Sequence, residues 1–144
     1  MIPEKTIQIQ GKDVMLRYCA ATETNFEMLA KGRSSNVFSA TVEKRDEEGK
    51  PTKINPPEAT SDDYIKLGIA AIMAAYDYRE QKSPVTVKEI LFDTTPDEIN
   101  AMVLTVMELR LQWYNTPKTI PDNETDQKIS DDQKNAETPA TSSN

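Results

Sequence analysis

The sequence predicts a small α+β domain that is mainly helical, with an N-terminal β-hairpin and a short helix followed by a small helical bundle. Three observations favour this class. Apolar and polar residues alternate near the N-terminus, apolar residues recur at helical spacing in the second half, and capping signals precede the helical segments. The 144 residues suffice for one domain, which we place at residues 1–116, followed by a disordered polar tail at 117–144.

The first part of the predicted domain, residues 5–42, begins with the hairpin. Residues 6–10 alternate between apolar and polar side chains, as a half-buried strand does, and residues 14–18 have the composition of a partner strand. Residues 11–13 contain a glycine and an aspartate, which are typical of a tight turn. The two strands are therefore expected to pair antiparallel.

A short helix is expected after the hairpin. Thr24 and Glu27 stand at the spacing of a capping box, in which each side chain caps the other residue's backbone amide. The helix should continue to Lys31 and end at Gly32, because glycine accepts the left-handed conformation common after a helix. Residues 37–42 fit a strand or a helix equally well.

A polar segment at residues 43–61 separates the two structured parts. Charged residues fill its first half and a Pro-Pro pair lies in its second, so we interpret it as a long linker. The segment from residue 117 onwards has no aromatic residue and three prolines, and it is the predicted tail.

The helical part, residues 62–116, contains two long helices and one short helix. The first long helix carries acidic residues at its start, which favour the helix dipole, and should reach about Gln81. A capping box at residues 86–89 predicts the short helix. Residues 95–98 combine a threonine cap, a proline at the first helical position and a glutamate, and so predict the last helix, which should end near Trp113.

The two long helices carry more apolar surface than one core-facing stripe requires. Each has a second apolar face beside or opposite its main one, so two interpretations stay open. Either both helices lie at the centre of the core, or one excess face is covered by another copy or by a partner protein. The residues of these second faces are the candidate interface: Leu67, Ala71, Ala74 and Tyr78 in the first helix, and Leu104, Met107, Leu111 and Tyr114 in the last.

The sequence offers no motif for catalysis. It has no histidine, one cysteine and four glycines, so a histidine-dependent triad, a thiolate zinc site and a glycine-rich phosphate loop are all excluded. The acidic pairs at residues 62–63 and 97–98 could bind a hard cation, but both stand at helix starts, where capping explains them. We therefore predict a protein that is not an enzyme and needs no metal or cofactor.

Charge and hydropathy narrow the range of partners. A net charge of −7 works against sequence-independent binding of nucleic acid, and no apolar run is long enough for a membrane span. The N-terminus lacks the pattern of a secretory signal, and the single Cys19 fits a reducing compartment. These features predict a protein of the cytoplasm.

Several local strings, taken in order, resemble those of a known family. After the hairpin come residues 19–29, then the Ala-rich helix at 64–76, a Pro-Val-Thr helix start at 84–86, the start at 95–98 and the helix end at 111–114. Over about residues 5–117 the chain resembles the tail assembly chaperones of long-tailed, siphovirus-like phages and prophages.

The resemblance implies a function without catalysis. Members of the family are thought to coat the tape-measure protein, keep its hydrophobic helices soluble and recruit tail-tube subunits. It therefore implies the tape-measure and tail-tube proteins as partners, and self-association, in the host cytoplasm. The apolar helices fit equally well an alternative, a small phage or mobile-element adaptor or regulator that binds one host or structural protein.

Overall fold

A computed structural model describes residues 1–116 and confirms a mainly helical α+β fold. The chain divides into two units, Met1–Tyr114 and Asn115–Asn144, and only Asn115 and Thr116 of the second are described. The predicted tail at 117–144 lies outside the described residues. The elements are β1 (Glu4–Ile9), β2 (Lys12–Arg17), α1 (Ala20–Leu29), a 3-10 turn (Ser35–Phe38), β3 (Thr41–Arg45), β4 (Pro51–Asn55), α2 (Ser61–Arg79), α3 (Val87–Phe92) and α4 (Pro96–Asn115).

Strands β1 and β2 form the predicted antiparallel hairpin. Gln10 and Gly11 make its two-residue turn, and both have positive φ angles, 55° and 75°, which suit the twist of a hairpin. Val14 and Leu16 of β2 are fully buried, and the amide of Met15 donates to the Tyr76 hydroxyl of α2 at 3.1 Å. The hairpin therefore packs against α2 through β2.

Helix α1 begins earlier than the sequence predicted. Its capping box is formed by Cys19 and Thr22, with the Cys19 amide donating to the Thr22 hydroxyl at 3.1 Å, so Thr24 and Glu27 lie inside the helix. The Thr22 hydroxyl in turn donates to the Arg17 carbonyl at 2.6 Å, which fixes the turn from β2 into α1. The helix also ends earlier than predicted, at Leu29 with Ala30 as its C-cap, and the amide of Gly32 donates to the carbonyl of Glu27 at 2.7 Å.

The predicted linker at residues 43–61 contains ordered structure, so this prediction is wrong in part. Strands β3 and β4 form a second antiparallel hairpin whose residues are almost all exposed. The Asp46 side chain shapes its turn by accepting from the amides of Glu48 and Lys50. Because neither face of this hairpin is buried, its sequence lacks the alternation that reveals a strand. The undecided segment 37–42 ends the 3-10 turn and begins β3.

The three later helices begin with threonine caps. Thr60 caps α2 together with Asp63, and Thr86 caps α3 together with Glu89, as reciprocal capping boxes. At α4 the Glu98 amide donates to the Thr95 hydroxyl at 3.3 Å, and Pro96 is the first helical residue. Capping satisfies amides that have no partner within a helix, so these starts agree with the sequence to within two residues.

Helix α2 lies at the centre of the core. It packs against α1 and β2, and its Gly68 lies against Met102 of α4. The largest fully buried apolar side chains come from both strands of the first hairpin, from Tyr18 directly after it, and from three helices: Ile9, Val14, Leu16, Tyr18, Phe26, Leu67, Ile69, Met102, Val106 and Leu109.

Candidate functional site

The second apolar face of α2 is part of the core. Leu67 and Ala71 are fully buried and Ala74 is nearly so, because α2 is covered on several sides by other elements of the same domain. These three residues are not accessible to a partner in this fold, and the candidate surface is corrected to exclude them. Tyr78, the fourth predicted residue of this face, is exposed, and the Arg17 guanidinium carbon lies 3.8 Å from its ring centroid.

The second apolar face of α4 is on the surface. Leu104 is 72% exposed, Leu111 59% and Tyr114 52%, while Met107 is half-buried against the core. These four residues follow one another at intervals of three or four, so they form one continuous row along the helix. We call Leu104, Met107, Leu111 and Tyr114 the α4 stripe.

The opposite side of α4 explains why the stripe faces outward. Met102, Val106 and Leu109 are buried in the domain core, and together they fix the rotation of the helix about its axis. Residues two positions away from these anchors on a helical wheel are directed to the other side. Leu104 and Leu111 occupy such positions, two residues beyond Met102 and Leu109.

An open cleft lies beside the N-terminal half of the stripe, between α2 and α4. Its volume is about 250 Å³, and it is lined by Ser61, Tyr64, Ile65, Ile99, Asn100 and Val103. A cavity of about 150 Å³ is large enough to hold a benzene ring. The cleft can therefore receive one large apolar side chain of a partner that lies along α4.

The C-terminal end of the stripe is held in place by polar contacts. The Tyr114 hydroxyl donates to Glu23 of α1 at 2.5 Å, and burial together with this carboxylate raises the pKa of Tyr114. The Arg110 guanidinium lies 4.6 Å from the Tyr114 ring centroid and donates to the Ser39 hydroxyl at 2.9 Å. The last turns of α4 are thus attached to α1 and to the residues after the 3-10 turn.

Arg110 is a buried residue that was not predicted from the sequence. Only 7% of it is exposed, although arginine is rarely buried. Helical spacing could have indicated its burial, because Arg110 follows the buried Val106 by four residues and so lies on the inward side of α4.

The structure also exposes apolar side chains that were not predicted as surface residues. Phe92, the last residue of α3, is 77% exposed, and its neighbour Leu91 is exposed too. In the second hairpin, Val42 and Ile54 are paired across the strands and both are exposed. A six-residue helix gives too short a pattern to show which side is buried.

Residues 1–116 contain no group of three or more histidine, cysteine, aspartate or glutamate side chains placed to hold a metal ion. Within that same range, no helix combines the length and apolar character needed to cross a lipid bilayer.

Comparison with known proteins identifies no relative. No protein-family model matches the chain, and the searches of curated proteins and of solved structures each find no match.

Proposed function

We propose that this chain is a non-catalytic tail assembly chaperone of a long-tailed phage or prophage. It acts in the host cytoplasm, where it binds the tape-measure protein and recruits tail-tube subunits during tail assembly. The observation that supports the proposal most is the α4 stripe, an exposed apolar row on a helix whose opposite side is firmly packed in the core.

The stripe has the chemistry of a surface that binds other helices. Covering Leu104 and Leu111 with a partner removes apolar area from water, and complete burial of such a side chain contributes about 1.5–3 kcal/mol. Apolar residues at intervals of three and four match those of an amphipathic helix laid alongside. Met107 adds a flexible side chain that adjusts to different partners, as binding to a long helical protein requires.

Self-association is part of the proposal and has other surfaces open to it. The Val42–Ile54 pair of the second hairpin lies outside the α4 stripe, and both of its side chains are exposed. A chaperone that coats a long partner can use such groups for contacts between copies while α4 contacts the tape-measure protein.

Two observations test this function. The gene beside the one for this chain should encode a long helical tape-measure protein, and co-expression with this chain should move that protein from the insoluble to the soluble fraction. The proposal is wrong if the neighbouring protein stays insoluble at equal expression of both. Stoichiometric binding to one unrelated host protein, without any effect on the tape-measure protein, would instead favour the adaptor or regulator.

A further inference from the structure

We propose that the α4 stripe and its cleft bind an amphipathic helix whose apolar side is flanked by lysine or arginine. The inference rests on the proposed function and names the chemistry of the segment that the partner presents. Two independent features carry it, namely the shape of the surface and the sign of the charges around it.

The shape fits one helix lying along α4. Leu104, Met107 and Leu111 give contacts over two helical turns, and the cleft opens next to Leu104 because Asn100 and Val103 line its wall. A partner helix with apolar residues at i, i+3 or i+4, and i+7 places one large side chain in the cleft and the next ones on the stripe. Binding surfaces usually draw most of their energy from such a central anchor.

The charges around the stripe are acidic. Asp97 precedes Leu104 by two helical turns and Glu108 follows it by one, and both carboxylates are exposed. The only basic residue of α4 is Arg110, which is buried beneath Tyr114 and Phe38. From β1, Lys5 reaches Glu108 at 3.3 Å, with both side chains about half exposed. Asp97 lies before the stripe and Glu108 lies within it, between Met107 and Leu111, where Lys5 offsets part of the negative charge. A partner with basic flanks therefore gains attraction mainly at the N-terminal end of the stripe, near Asp97.

The same charges disfavour two other occupants. If two copies met through their α4 stripes, neither α4 would offer an exposed basic residue to Asp97 of the other copy, and each Glu108 already has Lys5 of its own chain as its partner. Residues 117–144 of this chain carry six acidic residues against three lysines, and by sequence they lack basic flanks around an apolar row.

The test measures the binding of three synthetic peptides to the full chain by isothermal titration calorimetry. Two are helical, with leucines at i, i+3, i+7 and i+10, and differ only in lysine or glutamate at the flanking positions. The third keeps the lysines and replaces the leucines with serine, which controls for attraction to an acidic protein. We expect the lysine-flanked leucine peptide to bind at least about tenfold more tightly than either of the other two peptides. The ratio of its affinity to that of the glutamate-flanked peptide should fall as salt is added.

Variants of the chain locate the site. Leu104→Ser should weaken binding of the lysine-flanked leucine peptide at least about tenfold. Phe92→Ser, an equally exposed apolar position outside the stripe, should leave it unchanged. The pair Asp97→Lys and Glu108→Lys should reverse the preference in favour of the glutamate-flanked peptide. Circular dichroism of each variant verifies that the helices are retained.

Three results would overturn the inference: equal or tighter binding of the glutamate-flanked peptide, no loss on Leu104→Ser, or a dimer seen by light scattering that Leu104→Ser abolishes. None of these is a failure of the proposed function, which depends on solubilisation of the tape-measure protein. Solubilisation without the peptide preference would leave the chaperone function standing and reject the basic-flanked helix. The peptide preference without solubilisation would support the basic-flanked helix and reject the chaperone function.

Discussion

Gly68 of α2 lies directly against the side chain of Met102 of α4. A Cβ atom added to Gly68 would be 2.8 Å from both Cγ and Cε of Met102 and 2.9 Å from its sulfur, closer than non-bonded carbon atoms normally approach. The missing side chain of Gly68 therefore makes room for Met102, which is fully buried and helps to direct the α4 stripe outward.

The first prediction concerns this contact. Gly68→Ala should lower the free energy of unfolding by about 1–3 kcal/mol, because the added methyl group forces Met102 to move in a packed core. Alanine is otherwise the better helix former by about 1 kcal/mol, so a loss of stability is the opposite of what helix propensity alone predicts. Urea denaturation measures the change.

A double-mutant cycle separates the contact from other effects. In a Met102→Ala background the clash is absent, so Gly68→Ala should be neutral or should stabilise the fold by up to about 1 kcal/mol. The same destabilisation in both backgrounds would show that Gly68 and Met102 do not meet as described.

The second prediction concerns the acid stability of the contact between β1 and α2. Glu4 accepts hydrogen bonds from Arg79 at 2.6 Å and from Arg17 at 2.6 Å. The hydrogen bond from Arg79 is the main cause that holds the pKa of Glu4 below its ordinary value of 4.5. The hydrogen bond from Arg17 also lowers this pKa, and burial opposes both. A carboxyl group with a lowered pKa in the folded state stabilises the fold above the unfolded pKa. Its contribution is therefore present above about pH 4.5 and is lost as the pH falls through the folded pKa.

Glu4→Gln should remove this pH-dependent part of the stability. At neutral pH we expect a loss of about 1 kcal/mol after allowance for solvent screening, and the difference from the wild-type chain should vanish under acid conditions. Glu108→Gln breaks the half-exposed pair with Lys5 and is the matched control, with a change within about 0.5 kcal/mol. A Glu4→Gln loss that does not diminish with acidification would contradict this account.

The third prediction compares the two sides of α4. Leu104→Asp places a charge on an exposed position and should change stability by no more than about 1 kcal/mol. Leu109→Asp places the same charge in the core and should cost at least about 3 kcal/mol or unfold the domain. Thermal melts followed by circular dichroism distinguish the two, and similar losses for both variants would mean that Leu104 is buried.

The fourth prediction concerns metals. One acidic residue of each pair at a helix start already has partners: Asp63 accepts from Arg33 and from the Thr60 amide, and Glu98 accepts from the amides of Gln10 and Thr95. Calorimetry with Mg²⁺, Mn²⁺ and Zn²⁺ should show no site tighter than roughly 1 mM. A stoichiometric micromolar site would argue against a non-catalytic protein.

The sequence predicted best what depends on neighbouring residues. The starts at Thr86 and Thr95 were identified because a cap acts within one helical turn. The start of α1 was missed because cysteine is an unusual residue at a helix N-cap. The role of its partner Thr22 depends on the hydrogen bond from the Thr22 hydroxyl to the Arg17 carbonyl, which the sequence does not show. Local signals are reliable only where the usual residue types carry them.

What depends on packing between distant elements could not be predicted. Both long helices have two apolar faces in the sequence, yet Leu67 is buried and Leu104 is exposed. The difference arises because α2 is enclosed by other elements, whereas α4 is covered on one side only. The sequence of a single helix does not show how many of its sides other elements cover. The second hairpin was missed for a related reason, since strands exposed on both faces need no apolar alternation.

The most direct test of the central claim joins the third prediction to the proposed function. The double variant Leu104→Asp, Leu111→Asp is co-expressed with the neighbouring tape-measure protein, beside the wild-type chain and a Phe92→Asp control. We expect the wild-type chain and the control to keep the tape-measure protein soluble. The double variant should stay folded by circular dichroism but should no longer keep that protein soluble. Equal solubilisation by the folded double variant would contradict the claim that the α4 stripe is the binding surface.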